Sequence, residues 1–157
     1  MQPNVSISLR SLSKADLESV LEVARALPQW FTPTGLELMR VDLPYQKGWV
    51  AWGGSSPLGF ISFFVNQAKG EIGWMGVLPD QHRKGIGKQL LNHLIANLQA
   101  NGVGELYVRT LGDSVEYEPY AKTRAFYRAS GFQDFQRIQH PDNPECEEEL
   151  LLVLRLK

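Results

Sequence analysis

The sequence is poor in several residue types that carry particular chemistries. Cys146 is its one cysteine, so no intramolecular disulfide can form, and a reducing, cytoplasmic setting is expected. Three scattered histidines and that thiol are too few for a Cys/His zinc cluster, so no metal is expected. Neither sign of charge dominates: 16 basic and 17 acidic residues leave a formal charge of -1, whereas a general nucleic-acid binder carries a basic excess. No apolar run approaches the roughly 20 residues that cross a bilayer, so no membrane partner is expected. The opening Met1-Gln2-Pro3-Asn4 has neither the basic nor the apolar segment of a secretion signal. What remains is a chain of 157 residues, 43% hydrophobic and 10% aromatic, long enough for one domain over residues 1–157 with a sizeable core.

Periodicity orders that domain. Val5 to Leu9 alternates as a strand, and Ser13 with Asp16 three positions on has the spacing of a capping-box relative. Leu17, Val20, Leu21, Ala24 and Leu27 form a helical stripe that Pro28 ends. An aromatic loop, Gln29 to Gly35, precedes a short helix from Gly35 to about Val41. Trp49–Trp52, Leu58–Val65 and Glu71–Leu78 then read as an antiparallel meander, apolar at nearly every position and therefore covered on both faces. Lys84 to Gln99 is the clearest helix, with Ile86, Leu90, Leu91, Leu94, Ile95 and Leu98 at three- and four-residue steps. A strand (Leu106–Leu111), an acidic loop, a helix (Tyr120–Ala129) and two strands (Phe132–Ile138, Glu149–Leu156) complete an α+β order.

The most informative stretch lies where the third strand of the meander gives way to the long helix: Val77-Leu78-Pro79-Asp80-Gln81-His82-Arg83-Lys84-Gly85-Ile86-Gly87-Lys88. Each glycine inside a helix costs roughly 1 kcal/mol, so two in the first turn need a reason. The start of a helix offers up to four unpaired N–H donors and the positive end of its dipole, and glycine lets an anion come close to them. Arg83, Lys84 and Lys88 add positive charge, and a pyrophosphate is the natural guest. The stretch is no P-loop, because Gln89 follows Lys88 where Ser or Thr is required, and no dinucleotide fingerprint, because Leu90 stands where a third glycine belongs. A solvated basic helix start with glycines kept for packing has the same spacing.

His82-Arg83-Lys84-Gly85-Ile86-Gly87 resembles the Gln/Arg-x-x-Gly-x-Gly/Ala signature of the GNAT superfamily of acyl-CoA-dependent N-acetyltransferases, with His82 in place of the first member. The resemblance continues in Thr123-Arg124-Ala125-Phe126-Tyr127-Arg128-Ala129-Ser130-Gly131-Phe132, which looks like the family's later Ala-x-x-Phe-Tyr-x-x-x-Gly-Phe segment. Tyr120 stands where the family usually has asparagine, a departure that alters one cofactor contact. Together the motifs span roughly Trp49 to Phe135.

The resemblance implies a mixed sheet of about six to seven strands with about four helices, and a V-shaped splay between the fourth and fifth strands that receives acetyl-CoA. It implies that the backbone of Met75, Gly76 and Val77 pairs with the pantetheine arm. The pyrophosphate falls to His82, Arg83, Lys84, Gly85, Ile86, Gly87 and Lys88, with Tyr120 and Arg124 as further cofactor contacts. Tyr127 is implied as the acid that returns a proton to the CoA thiolate, since a phenol with a reference pKa near 10 stays protonated at neutral pH. Phe126-Tyr127 is equally the pattern of a core-facing aromatic pair. Glu71 resembles the position of a catalytic glutamate that acts as base directly or through water, and equally a solvated strand-end carboxylate. Asp113, Glu116 and Glu118 can attract a cationic amine, or form an ordinary acidic loop. Arg109 has the chemistry to bind a substrate carboxylate, although an exposed strand charge is the commoner use of such a residue. The acceptor stays open among polyamine, amino acid, aminoglycoside-like compound, protein N-terminus and lysine side chain. A longer acyl chain, or a CoA-binding domain without turnover, shares the cofactor site; Tyr127 argues against the latter. Leu150 to Leu154 is an apolar strand able to pair a homodimer if it lies at a sheet edge.

Overall fold

The computed structural model describes residues 6–82 and 84–157. The first strand, β1, is Ile7–Ser11; Val5 and Arg83 lie outside the described residues. Asp16 Oδ2 accepts both the backbone N–H (2.9 Å) and the hydroxyl (3.0 Å) of Ser13, which ties the 3-10 turn Lys14–Asp16 to the start of helix α1, Leu17–Arg25. Helix α2 is Pro33–Asp42, two residues longer at its start than the spacing predicts. Thr32 Oγ1 accepts the Gly35 N–H at 3.0 Å, and Pro33 occupies the first helical position, where a missing N–H costs nothing.

Three strands follow, β2 (Lys47–Gly53), β3 (Ser56–Asn66) and β4 (Lys69–Val77), then helix α3 (Ile86–Ala100). Strand β5 (Glu105–Leu111), helix α4 (Glu118–Ala129) and strands β6 (Gln133–Gln139) and β7 (Glu148–Arg155) complete the chain. Between β3 and β4 the turn is made by Gln67 and Ala68, with φ of +52° and +61°. Two consecutive left-handed residues suit the twist of a tight hairpin, although side chains there cost about 1–2 kcal/mol each.

The chain forms two compact units that divide β3, β4 and α3 between them: residues 1–64 with 73–97, and residues 65–72 with 98–157. In the first unit the strands follow the order β1-β2-β3-β4, with β1 and β3 antiparallel to β2. Its core gathers Val20, Leu21, Ala24 and Leu27 of α1, Met39 of α2, and Val50 and Phe60 of the sheet. Ile86, Leu90, Leu91 and Leu94 form the buried stripe of α3.

In the second unit the order is β4-β5-β7-β6. The strands thus make a mixed seven-stranded sheet accompanied by four α-helices, the architecture the motifs imply. β4 and β5 run parallel, and their ladder covers three pairs only, Lys69 with Glu105, Gly70 with Leu106 and Glu71 with Tyr107, although β4 continues to Val77 and β5 to Leu111. β7 corrects one expectation. It lies between β5 and β6 and pairs antiparallel with both, so Leu150–Leu154 is no free edge for a dimer. The edge is β6, whose polar, exposed Gln133-Asp134…Gln136-Arg137 discourages further pairing. Leu150, Leu151, Leu152 and Val153 are all buried, so β7 is covered on both faces.

Candidate functional site

The first unit carries the glycine turn. β4 ends at Val77, and Leu78 N–H donates to Leu58 O at 2.9 Å, which anchors the exit of the strand to β3. Pro79–Gln81 makes one 3-10 turn. His82 then folds back on the loop it closes: its Nε2 lies 2.6 Å from Val77 O, so that nitrogen carries the proton and donates it. The ring also meets Trp30 edge-on, at 6.2 Å between centroids. The side chain that replaces the first member of the motif is therefore engaged within its own loop.

Gly85 has φ +79°, a conformation that glycine adopts without the Cβ penalty. A Cβ built there meets nothing within 4 Å, so the space beside the backbone is open. Among the described residues, the first bond of α3 runs from Gln89 N–H to Gly85 O at 2.9 Å. The N–H groups of Ile86, Gly87 and Lys88 precede that ladder, and groups in this place lack intrahelical acceptors. Ile86 is 1% exposed and its side chain belongs to the core, so only its backbone can serve a ligand. Lys84 and Lys88 are exposed on either side, and Gly87 is half-buried. Open space, a 15-residue helix behind it and flanking cations together fit a diphosphate.

Upstream on β4, Gly76 is tightly packed: a Cβ there would meet Leu27, Phe60 and Phe31 at 3.1–3.2 Å, so those side chains would have to give way by a few tenths of an ångström. Met75 and Val77 are half-buried. Ser62, wholly buried on β3, accepts the Trp74 N–H at 2.9 Å and donates to Gln46 Oε1 at 2.7 Å. This contact escaped the sequence reading, although a lone serine between Ile61 and Phe63 was its signal. A surface cavity in the same unit is lined by Leu12, Lys14, Leu17, Leu43 and Pro44; none of these belongs to the glycine turn.

The second unit carries the two residues assigned to proton transfer. Tyr127, on α4, is 5% exposed, with its ring against Phe126 and Phe132, both at 5.3 Å. Burial above all, and then Tyr120, raises its pKa well above the ordinary phenol value. Tyr120 is itself pushed up to about 12, by burial first and then by Cys146 and Tyr117. Both phenols are thus held in the neutral, proton-bearing form. Arg124 is 6% exposed, and its Nη1 donates to Leu111 O at 2.7 Å, which ties α4 to the end of β5.

Glu71 lies near the start of β4 with about a quarter of its side chain exposed. Arg109 Nε stands 3.4 and 3.3 Å from its two oxygens, while Arg109 Nη1 reaches Glu149 at 2.9 Å. Arg109 is therefore paired with two of the protein's own carboxylates. The loop after β5 brings a second adjustment. Asp113 binds the Arg137 guanidinium, which holds its carboxyl below the usual range, and lies 3.6 Å from Arg128. It is thus engaged in an ion network with both arginines, with about two fifths of its side chain still exposed. Glu148, 4% exposed, joins that network by accepting from Ser114 N–H (3.2 Å), Arg137 Nη1 (3.2 Å) and Gln139 Nε2 (2.7 Å). Sequence offered no signal for it, since it is one of three consecutive glutamates. Among the described residues no cluster of His, Cys, Asp and Glu could hold a metal, and no helix is long and apolar enough to cross a membrane.

An uncharacterized N-acetyltransferase of Bacillus subtilis (strain 168), YsnE, is 32% identical over 107 residues, covering 68% of this chain and 67% of that protein. The ribosomal-protein-S18-alanine N-acetyltransferase of Escherichia coli superposes with a TM-score of 0.78 at 18% identity, covering 97% of this chain and 95% of the other. The PaiA N-acetyltransferase of Thermoplasma acidophilum, solved in complex with coenzyme A, gives a TM-score of 0.74 at 20% identity, covering 96% and 99%. Residues 44–134, more than half the chain and including both the glycine turn and Tyr127, match the acetyltransferase (GNAT) domain. The protein belongs to the GNAT family of acetyltransferases.

Proposed function

We propose that this protein is an N-acetyltransferase that moves the acetyl group of acetyl-CoA to a primary amine by direct attack in a ternary complex. The observation that carries this reading is the glycine turn: Gly85, at φ +79° with open space beside it, heads a long helix flanked by Lys84 and Lys88. Main-chain N–H groups of Gly85, Ile86, Gly87 and Lys88 would hold the pyrophosphate, with Arg83 and the two lysines neutralising it. His82 closes the loop that presents them. The backbone of Met75, Gly76 and Val77 would receive the pantetheine arm as an added strand, and a Val77 or Leu78 N–H would polarise the acyl carbonyl.

Acetyl-CoA, when bound, supplies an activated thioester; the protein's share of the work is to move protons. An amine attacks only when neutral, so one proton must leave the ammonium and another must reach the departing sulfur. Tyr127 is assigned the second task, because its buried phenol holds its proton at every physiological pH. Glu71 is assigned the first, directly or through water. Tyr120 and Arg124 are assigned to the cofactor side of α4, Arg124 through the Leu111 carbonyl that it binds. The lone thiol Cys146 suits a cytoplasmic setting, and the balanced charge suits a small amine better than a nucleic acid.

The test is CoA release from acetyl-CoA across a panel of amines, beside calorimetric titration with CoA and acetyl-CoA. Saturable binding of both ligands, with turnover on at least one amine, is the expected result. Absence of CoA binding would remove the transferase reading, and binding without turnover on any amine would leave a CoA-binding domain.

A further inference from the structure

Gly73 and Trp74 are consecutive on β4, and in a regular strand consecutive side chains point to opposite faces. Here both turn to one face. A Cβ built on Gly73 would lie 2.2 Å from Gln46 Oε1, while the Trp74 ring lies 6.3 Å from Phe31 and its Nε1–H donates to Asp42 at 3.0 Å. Gln46 is bonded to Ser62, and Phe60, two residues before Ser62 and so on its face, packs against Phe31 at 6.0 Å. Gln46, Ser62, Phe60 and Phe31 therefore share the face to which Gly73 and Trp74 both turn. This is the signature of a β-bulge, which reverses the phase of everything downstream and re-aims it.

A bulge removes an amide from the ladder, and a buried amide must find another acceptor. Trp74 N–H finds Ser62 Oγ at 2.9 Å, and the Ser62 hydroxyl passes its own hydrogen to Gln46 Oε1 at 2.7 Å. A side chain of β3 thus stands in for a main-chain carbonyl, and the Gln46 amide lies where a Cβ at position 73 would stand, so a side chain there would have to displace it.

We infer that Ser62 and Gln46 are positioning residues for acyl transfer: by latching the Gly73–Trp74 bulge they set the direction of the Met75, Gly76 and Val77 main-chain groups that follow it. The inference rests on the transferase reading above. Without the latch, β4 can relax toward a regular pleat, which turns the following N–H groups away from the carbonyl they would polarise.

The test compares Ser62→Ala, which removes one oxygen and little volume, with Gln46→Leu, which cuts the same chain at its half-buried end. Amide hydrogen exchange at Trp74 is measured together with steady-state kinetics on acetyl-CoA and the best amine of the panel. Faster Trp74 exchange is expected in both variants, with kcat lowered about ten-fold and the KM for acetyl-CoA changed less than about three-fold. The double variant is expected to lose no more than the worse single one, because Gln46 acts through Ser62. Unchanged exchange, unchanged kcat, or equal losses in kcat and affinity with additive effects would each overturn the positioning role. Wild-type protein that binds no CoA would instead overturn the transferase reading, and this one with it, by a separate measurement.

Discussion

Arg109 bridges Glu71 and Glu149, at 3.3 Å and 2.9 Å, so the carboxylate assigned as base shares one guanidinium with a second carboxylate. If Glu71 removes the proton from the amine, Glu71→Gln should lower kcat/KM about 100-fold and erase the acid limb of its pH profile. The pH dependence of CoA release in this variant checks the statement. A limb that persists in Glu71→Gln assigns the base elsewhere.

Tyr127 makes a different demand. Its pKa lies well above 10 because the phenolate is disfavoured by burial, so no alkaline limb should arise from it below about pH 10. Tyr127→Phe should therefore lower kcat about 100-fold by an equal factor from about pH 7 to 9, with CoA affinity kept within about three-fold. A kcat matching that of the wild-type protein would return Tyr127 to the core-facing aromatic pair that its neighbours Phe126 and Phe132 suggest.

The order of elements was legible because each stripe is confined to one segment. Leu90, Leu91, Leu94 and Leu98 mark one face of α3, and the apolar runs of β3 and β7 are too short for helices. The ends were less legible. α2 begins at Pro33 because the Thr32 side chain caps it, and an N-cap contributes only about 1 kcal/mol against the pull of the apolar spacing. The place of β7 was not legible either. Leu150–Leu154 reads alike at an edge or in the interior, and only its pairing with both β5 and β6 decides.

Within the candidate site, what lies along the chain was readable and what lies across it was not. Gly85 and Gly87 sit within one turn and show themselves by spacing. The Ser62–Gln46 pair, the Arg109–Glu71 pair and the Arg137–Asp113 pair join residues 16, 38 and 24 positions apart, and no periodicity links their members. The acidic loop shows the consequence. Asp113 reads as an available charge until folding brings Arg137 and Arg128 to it.

Gly85 allows backbone and ligand effects to be separated. At φ +79°, alanine should cost about 1–2 kcal/mol of stability, while asparagine, which tolerates this region, should cost less. Both place a side chain in the space now open beside the backbone, so both should weaken CoA binding by about ten-fold or more. Calorimetry with CoA and thermal unfolding of each variant check this. Asparagine binding as tightly as glycine would mean that the phosphates lie elsewhere.

The network around Glu148 fixes how stability should depend on pH. Gln139 first, then the Ser114 N–H and Arg137, hold the Glu148 carboxyl below its ordinary value of 4.5, and Arg137 holds Asp113 below 3.8. Folded-state values below the unfolded ones mean that the unfolded chain binds these protons more readily. The stabilisation is then complete above about pH 5 and is lost as pH falls through the depressed values. Arg137→Met removes the cation from both carboxylates, so their values should return toward the ordinary ones. Its Tm at pH 7 should be lower than that of the wild-type protein, and its further fall between about pH 5 and 3 should be shallower. Two parallel Tm–pH curves would instead mean that solvent screens this network at every pH, leaving Glu148 to hold the β5–α4 loop through its bonds to the Gly112 and Ser114 N–H groups.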